Sequence, residues 1–132
     1  MINITRINHT AINTADDVEP MQRFYTEHLG AKTVKRDIPE EFAALVPGFW
    51  MQFDNGQVHV IKNAAPPIRK SNDAPMNPMG PHIAFYVADI KATKQYLAYN
   101  NLACESVNEI IFTRDPAGNV LEFQQDPDCV ND

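Results

Sequence analysis

Residues 80–90, GPHIAFYVADI, repeat residues 7–17, INHTAINTADD, and that repeat decides the fold. His82 falls on His9, Ala84 on Ala11, Ala88 on Ala15 and Asp89 on Asp16. With one residue of slippage Ile90 meets Val18 and Tyr96 meets Phe24. A second pair of stretches follows: FWMQFDNGQVHVI (49–61) lies beside IIFTRDPAGNVLEFQ (110–124). Both are apolar-rich runs broken by an Asp-to-Gly turn and resumed by another apolar run. Each half therefore reads as strand, helix, strand, strand, strand. Residues 63–81, rich in Pro, Asn and Ser, read as the loop that joins them. The expected fold class is α+β: two tandem βαβββ modules, about 1–62 and 82–126, with a short C-terminal tail, in a single domain spanning 1–132.

Punctuation marks the helices. Asp16 and Asp17 offer N-cap oxygens, and Pro20 is tolerated in a first turn, where its missing N–H would be unpaired anyway. Val18, Met21, Phe24, Tyr25 and Leu29 recur at helical spacing before Gly30, a left-handed stop. In the second half Asp89 caps a helix whose inner stripe is Ile90, Thr93, Tyr96 and Leu97, ending at Asn100 or Asn101. EEFAALV, ahead of Pro47-Gly48, carries a weaker signal for a short helix.

Side chains alternate across a strand, so facing follows from position. Ile83, Phe85 and Val87 form the side that packs under a helix, which turns His82, Ala84 and Tyr86 the other way; by the repeat His9 turns with them. Asn55-Gly56 predicts a two-residue hairpin turn setting Gln52 opposite His59 and Trp50 opposite Ile61. His59 then shares a face with Trp50, Gln52 and Ile61, while Val58 and Val60 go to the helix side. A three-residue turn, Pro116-Ala117-Gly118, sets Arg114 opposite Val120 and Phe112 opposite Glu122, with Leu121 and Phe123 on the core side. Three of the four histidines and one carboxylate thus occupy matching strand positions on the face the helices leave open. His28, on the first helix, is a solvated or partly packed side chain.

Any one of these residues alone reads as a hydrogen-bonded strand residue; their recurrence at repeat-related corners reads as a ligand set. Imidazole and carboxylate donors without thiolates suit one divalent first-row ion, Fe, Mn, Co, Ni or Zn. Four protein ligands on an octahedral ion leave two positions for water or a chelating substrate, which describes a catalytic site.

INHTAI, RFYTEHLGAK, QVHVI, GPHIAFYVAD and FTRDPAGNVLEFQ resemble the vicinal oxygen chelate superfamily across residues 3–126. That superfamily includes glyoxalase I, methylmalonyl-CoA epimerase, fosfomycin-resistance transferases, extradiol dioxygenases and bleomycin-resistance proteins. The resemblance implies a curved, partly open mixed sheet with helices outside and a metal cleft inside. It also implies that His9, His59, His82 and Glu122 are the metal ligands, assembled within one chain or across a homodimer. Bleomycin-resistance proteins have lost such ligands, and extradiol dioxygenases use two histidines and a glutamate. Glyoxalase I and the epimerase use four, although the corner held here by His59 is usually Glu or Gln. The implied activity is a metal-dependent, glyoxalase-like lyase or isomerase with Glu122 as catalytic base. The alternatives are an Fe(II) extradiol-type dioxygenase and a non-catalytic small-molecule-binding protein. Trp50, Gln52, Tyr86, Phe112 and Arg114 are expected to line the substrate cleft. Arg114 either holds an anionic group or pairs with Asp115.

Composition narrows the partners. With 44% hydrophobic and 21% charged residues the chain is apolar enough to bury a core. A net charge of −6 disfavours nucleic acid and anionic membrane, leaving a small-molecule substrate. No apolar run approaches the roughly 20 residues a spanning helix needs, and the N-terminus lacks a secretory pattern. Cys104 and Cys129 lie far apart without metal-type spacing, so reduced thiols in a cytoplasmic protein are expected.

Overall fold

A computed structural model describes residues 1–64, 76 and 79–129. Most of the joining segment expected at 63–81 lies outside the described residues. The chain divides into two compact units, Met1–Ile68 and Arg69–Asp132.

Unit one runs β1 (His9–Thr14), α1 (Val18–Arg23), a π-helical turn (Phe24–His28), β2 (Lys32–Val34), α2 (Glu40–Leu45), β3 (Gly48–Phe53) and β4 (Gly56–Lys62). Its four strands lie in the order β1-β4-β3-β2. β1 runs parallel to β4, which its helical crossover permits, and the other pairs are antiparallel. Unit two runs β5 (His82–Val87), α3 (Ile90–Tyr99), β6 (Glu105–Val107), β7 (Ile110–Arg114) and β8 (Val120–Gln125). Its order, β5-β8-β7-β6, repeats that of unit one, again with the first strand parallel to the last. Each unit is therefore the βαβββ module that the internal repeat predicts.

The helices end as their residues dictate. Gly30 sits at φ +67° and Asn101 at φ +55°, both in the left-handed region that terminates a helix. The Ala31 N–H reaches back to the Tyr25 carbonyl at 2.9 Å, closing the first helix. At α3 the Asp89 carboxylate accepts from the Ala92 N–H at 3.0 Å. Asp17 holds the corresponding place before α1 but makes no side-chain cap; its Oδ1 accepts from Lys62 Nζ at 3.4 Å instead.

Met21, Phe24 and Tyr25 are buried where the first helix packs on β3 and β4, with Tyr25 tilted against Phe49 at 6.4 Å. Phe49 pairs with Val60 and Met51 with Val58, so this is the Val58/Val60 face. In unit two Leu97 of α3 is buried, α3 packs on β8, and Leu121 and Phe123 are buried. Each such apolar side chain contributes about 1.5–3 kcal/mol by leaving water. Ile83, Phe85 and Val87 are only half-buried, not fully covered as expected. β5 is the end strand of its sheet, while α3 sits on β8 beside it. Tyr96, expected inside, is exposed.

The second hairpin has the predicted register, with Arg114 opposite Val120 and Phe112 opposite Glu122. Asp115 braces its turn, its carboxylate accepting from the Ala117 and Asn119 N–H groups at 3.0 and 2.9 Å. The first hairpin is displaced by two residues from the expected pairing: Trp50, not Gln52, faces His59, and Gln52 faces Gln57. The turn residues are Asp54 and Asn55. Neither has the positive φ that a type I′ turn needs at both central positions; Gly56, opening β4, takes it instead at +154°. A shift of two residues preserves the alternation, so His59 keeps the face that was predicted for it.

Candidate metal centre

In unit one Ala11 of β1 and Trp50 of β3 flank His59 of β4. The imidazole is held as the middle layer of a stack. The His9 ring lies 3.9 Å away at 14°, and the Trp50 indole 4.0 Å away at 1°. These two rings leave His59 only 6% exposed. Burial first, and the neighbouring His9 second, hold the His59 pKa below its ordinary value, which favours the neutral, metal-competent ring. His59 Nε2 lies 2.9 Å from Gln57 Oε1. Gln57 Nε2 donates to Gln52 Oε1 at 2.7 Å, and Gln52 Nε2 donates to the carbonyls of Phe53 at 2.8 Å and Gly56 at 3.3 Å. His9 Nδ1 is 2.6 Å from Asn8 Oδ1, which turns Nε2 to the other side of the ring.

In unit two Ala84 of β5 and Phe112 of β7 flank Glu122 of β8. His82 Nε2 approaches Glu122 Oε1 at 3.2 Å, while His82 Nδ1 lies 2.8 Å from the Gly80 carbonyl. Gln124 Nε2 donates to the second oxygen, Glu122 Oε2, at 2.6 Å. Phe112 meets the His82 ring edge-to-face at 6.1 Å. Phe112 is buried with Val120 and Met76, and Ile110 packs against them.

The donor chemistry fits a divalent cation. A carbonyl only accepts, so the Gly80 contact keeps the His82 proton on Nδ1. In the neutral ring Nε2 then presents a lone pair to a carboxylate oxygen 3.2 Å away. Two facing acceptors are stable only with a proton or a metal ion between them. The arrangement, ring proton on a carbonyl and lone pair toward the site, is the usual outer support of a ligating histidine.

The predicted residues thus fall into one pair per unit, His9 with His59 and His82 with Glu122. Among the described residues no group of three or more His, Cys, Asp and Glu side chains forms a metal holder. Of the expected cleft residues, Trp50 stacks on His59, Gln52 supports Gln57, and Phe112 packs beside His82. Tyr86 is 66% exposed, and Arg114 is buried opposite Val120. His28 packs edge-on against Phe24. The supporting roles of Gln57, Gln124 and Gly80 were missed. The period-2 pattern was the available signal, because Gln57-x-His59 and Glu122-x-Gln124 each place a glutamine two residues from a candidate ligand on the same face.

Among the described residues no helix is long and apolar enough to cross a membrane. No curated protein sequence matches the chain. Solved structures do. Lactoylglutathione lyase from Agrobacterium tumefaciens is 19% identical with a TM-score of 0.64, over 92% of this chain and 94% of that one. The fosfomycin resistance protein FosX from Mesorhizobium loti is 18% identical with a TM-score of 0.67, over 94% of both chains. FosX from Listeria monocytogenes, in complex with Mn(II) and sulfate, is 12% identical with a TM-score of 0.68, again over 94% of both. At such identities the likeness is one of fold. The family model described as the Glyoxalase/Bleomycin resistance protein/Dioxygenase superfamily matches residues 6–123, and with the two βαβββ modules in hand the chain belongs to that superfamily.

Proposed function

We propose that this protein is a divalent-metal-dependent lyase or isomerase acting on a small substrate with a carbonyl and an adjacent oxygen. In this reading His9, His59, His82 and Glu122 hold one ion. The observation that carries it is the His82–Glu122 pair, an imidazole nitrogen 3.2 Å from a carboxylate oxygen with each partner braced from behind. The manganese complex of the FosX relative supports a first-row ion in this fold. The ion would supply Lewis acidity toward the substrate oxygens.

Glu122 is the only carboxylate of the set and serves as the base. Its carboxylate takes the proton from the carbon beside the substrate carbonyl and returns it to the neighbouring position. Gln124 fixes Oε2, so that the carboxylate is oriented before substrate arrives. The Gly80 carbonyl holds the His82 Nδ1 proton, which leaves Nε2 as the nitrogen that faces the site. Phe112, buried against Met76 and Val120, keeps water from that side of Glu122. Trp50 and Tyr86 give the substrate apolar and aromatic surface, and Arg114 a positive charge for an anionic group.

A specific observation also favours the dioxygenase reading. His59 Nε2 is already engaged by Gln57; if the ring's other nitrogen does not ligate either, the set becomes two histidines and one carboxylate, the facial triad of non-haem iron oxygenases. Solvent-proton exchange into a hemithioacetal or α-hydroxy ketone, run with and without oxygen, separates the two. Exchange that proceeds anaerobically supports the isomerase. Turnover that consumes oxygen replaces it with the dioxygenase, and binding without turnover leaves a sequestering protein.

We also read the chain as a homodimer. β1 and β5 are end strands of their sheets, and Ile2, Ile4 and Ile7 ahead of β1 are exposed. Sedimentation at the mass of a single 14.9 kDa chain would contradict this.

A further inference from the structure

The hydrogen-bond chain behind His59 has a fixed direction, because its far end is backbone. The carbonyls of Phe53 and Gly56 can only accept, so the Gln52 group that meets them is its NH2. Gln52 Oε1 must then be the atom facing Gln57, which makes the Gln57 group beside it an NH2 donor. That leaves Gln57 Oε1 facing His59 Nε2, and an oxygen acceptor there requires a proton on Nε2. The other two histidines are held the opposite way round. Gly80 holds His82 through Nδ1, and Asn8 holds His9 through Nδ1.

We propose that Gln57, itself fixed by Gln52, is a positioning residue that commits His59 to the Nε2–H tautomer, so that this ring offers Nδ1 to the ion where His9 and His82 offer Nε2. The ligating role rests on the metal reading above, whereas the tautomer does not. The consequence is a site with one inverted corner. A histidine replaces the usual carboxylate or amide of this position, and Gln57 does for its Nε2 what Gly80 does for His82 Nδ1. The stack makes the inversion rigid, since His9 and Trp50 close both faces of the ring and oppose any flip that would exchange its nitrogens.

Long-range 15N–1H correlation spectra of 15N-labelled, metal-free protein, at a pH above the imidazole range, read the tautomer of each ring. The expected wild-type pattern for His59 is protonated Nε2 and unprotonated Nδ1. In Gln57→Leu both nitrogens should move toward intermediate shifts as the tautomers mix. Gln57→Glu loses the donor to Gln52 Oε1 but keeps an oxygen acceptor for His59 Nε2, and should restore the single pattern. Gln52 and Gln57 lie at the surface of the sheet, so loss of fold is not expected, and a purely structural role would change melting without changing the tautomer. A wild-type His59 protonated on Nδ1, or a Gln57→Leu spectrum identical to wild type, overturns the clamp. Titration with zinc then reads the ligating atom. His59 Nδ1 should shift together with Nε2 of His9 and His82. A shift at His59 Nε2, or at neither His59 nitrogen while the other rings respond, overturns the inverted corner. Zinc that moves no histidine nitrogen defeats the metal reading and the ligating role of Nδ1 with it, while the metal-free spectra still decide the clamp by themselves.

Discussion

Where Ala84 faces Glu122 in unit two, Ala11 faces His59 in unit one, so the two sheets offer the same register position to different chemistry. Glu122 is braced by one glutamine and faces a single ring. His59 is enclosed between two rings and held by a chain of two glutamines. The same scaffold thus yields a carboxylate that faces one ring in unit two and an imidazole enclosed between two rings in unit one. Chemical asymmetry in a duplicated fold comes here from what stands beside the strand residue, since strand order and register are shared.

Substitution in the His82–Glu122 pair should have the largest effect. His82→Ala or Glu122→Ala is expected to lower metal affinity by more than the roughly 10–100-fold that loss of an outer partner costs. Calorimetric titration measures this, and circular dichroism should show the fold intact, because neither side chain belongs to the apolar core. Next in size is Leu121→Ala, on the opposite face of the same strand. Deleting this fully buried side chain should cost about 2–5 kcal/mol in denaturant unfolding while leaving metal affinity of the folded fraction unchanged. If Leu121→Ala abolished metal binding in folded protein, the separation of faces would be broken. In Gln124→Leu, Glu122 keeps its place but loses its brace. A drop of about 10–100-fold in affinity is expected, or roughly 1.4–2.7 kcal/mol.

The smallest effect concerns pH. Burial and then His9 lower the His59 pKa in the folded chain. Just below the ordinary imidazole value of about 6.5, the unfolded chain then binds more protons than the folded one. Stability contributed by neutral His59 is present above that value and is lost as pH falls through it toward the folded pKa. Melting of wild type against His59→Phe across that window should show a shallower acid slope in the variant.

The two modules, the helix stops at Gly30 and Asn101, and the Pro116–Gly118 hairpin were legible because each rests on local rules: periodicity, positive φ and loop length. The Asn55-Gly56 signal misled by two residues. A strong turn dipeptide fixes that a hairpin exists, but the pairing energy of the strands decides which two residues become its tip. Parity protected the site assignment, since a two-residue shift leaves every side chain on its own face. The half-buried Ile83, Phe85 and Val87 show the limit of alternation, which tells which face a residue takes and not how well a helix covers it. The His9–His59–Trp50 stack and the glutamine chain were not legible. They depend on side-chain rotation and cross-strand neighbours, which the sequence pattern leaves open.

The proposed ligand set takes one pair from each unit for a single divalent ion. Elemental analysis of protein purified without chelator, repeated after stripping and reloading, tests it most directly. One first-row ion per chain is expected in the native protein, with loss of that ion both in His9→Ala, from unit one, and in Glu122→Ala, from unit two. A protein that takes up no such ion, or that keeps full occupancy in either variant, would contradict it.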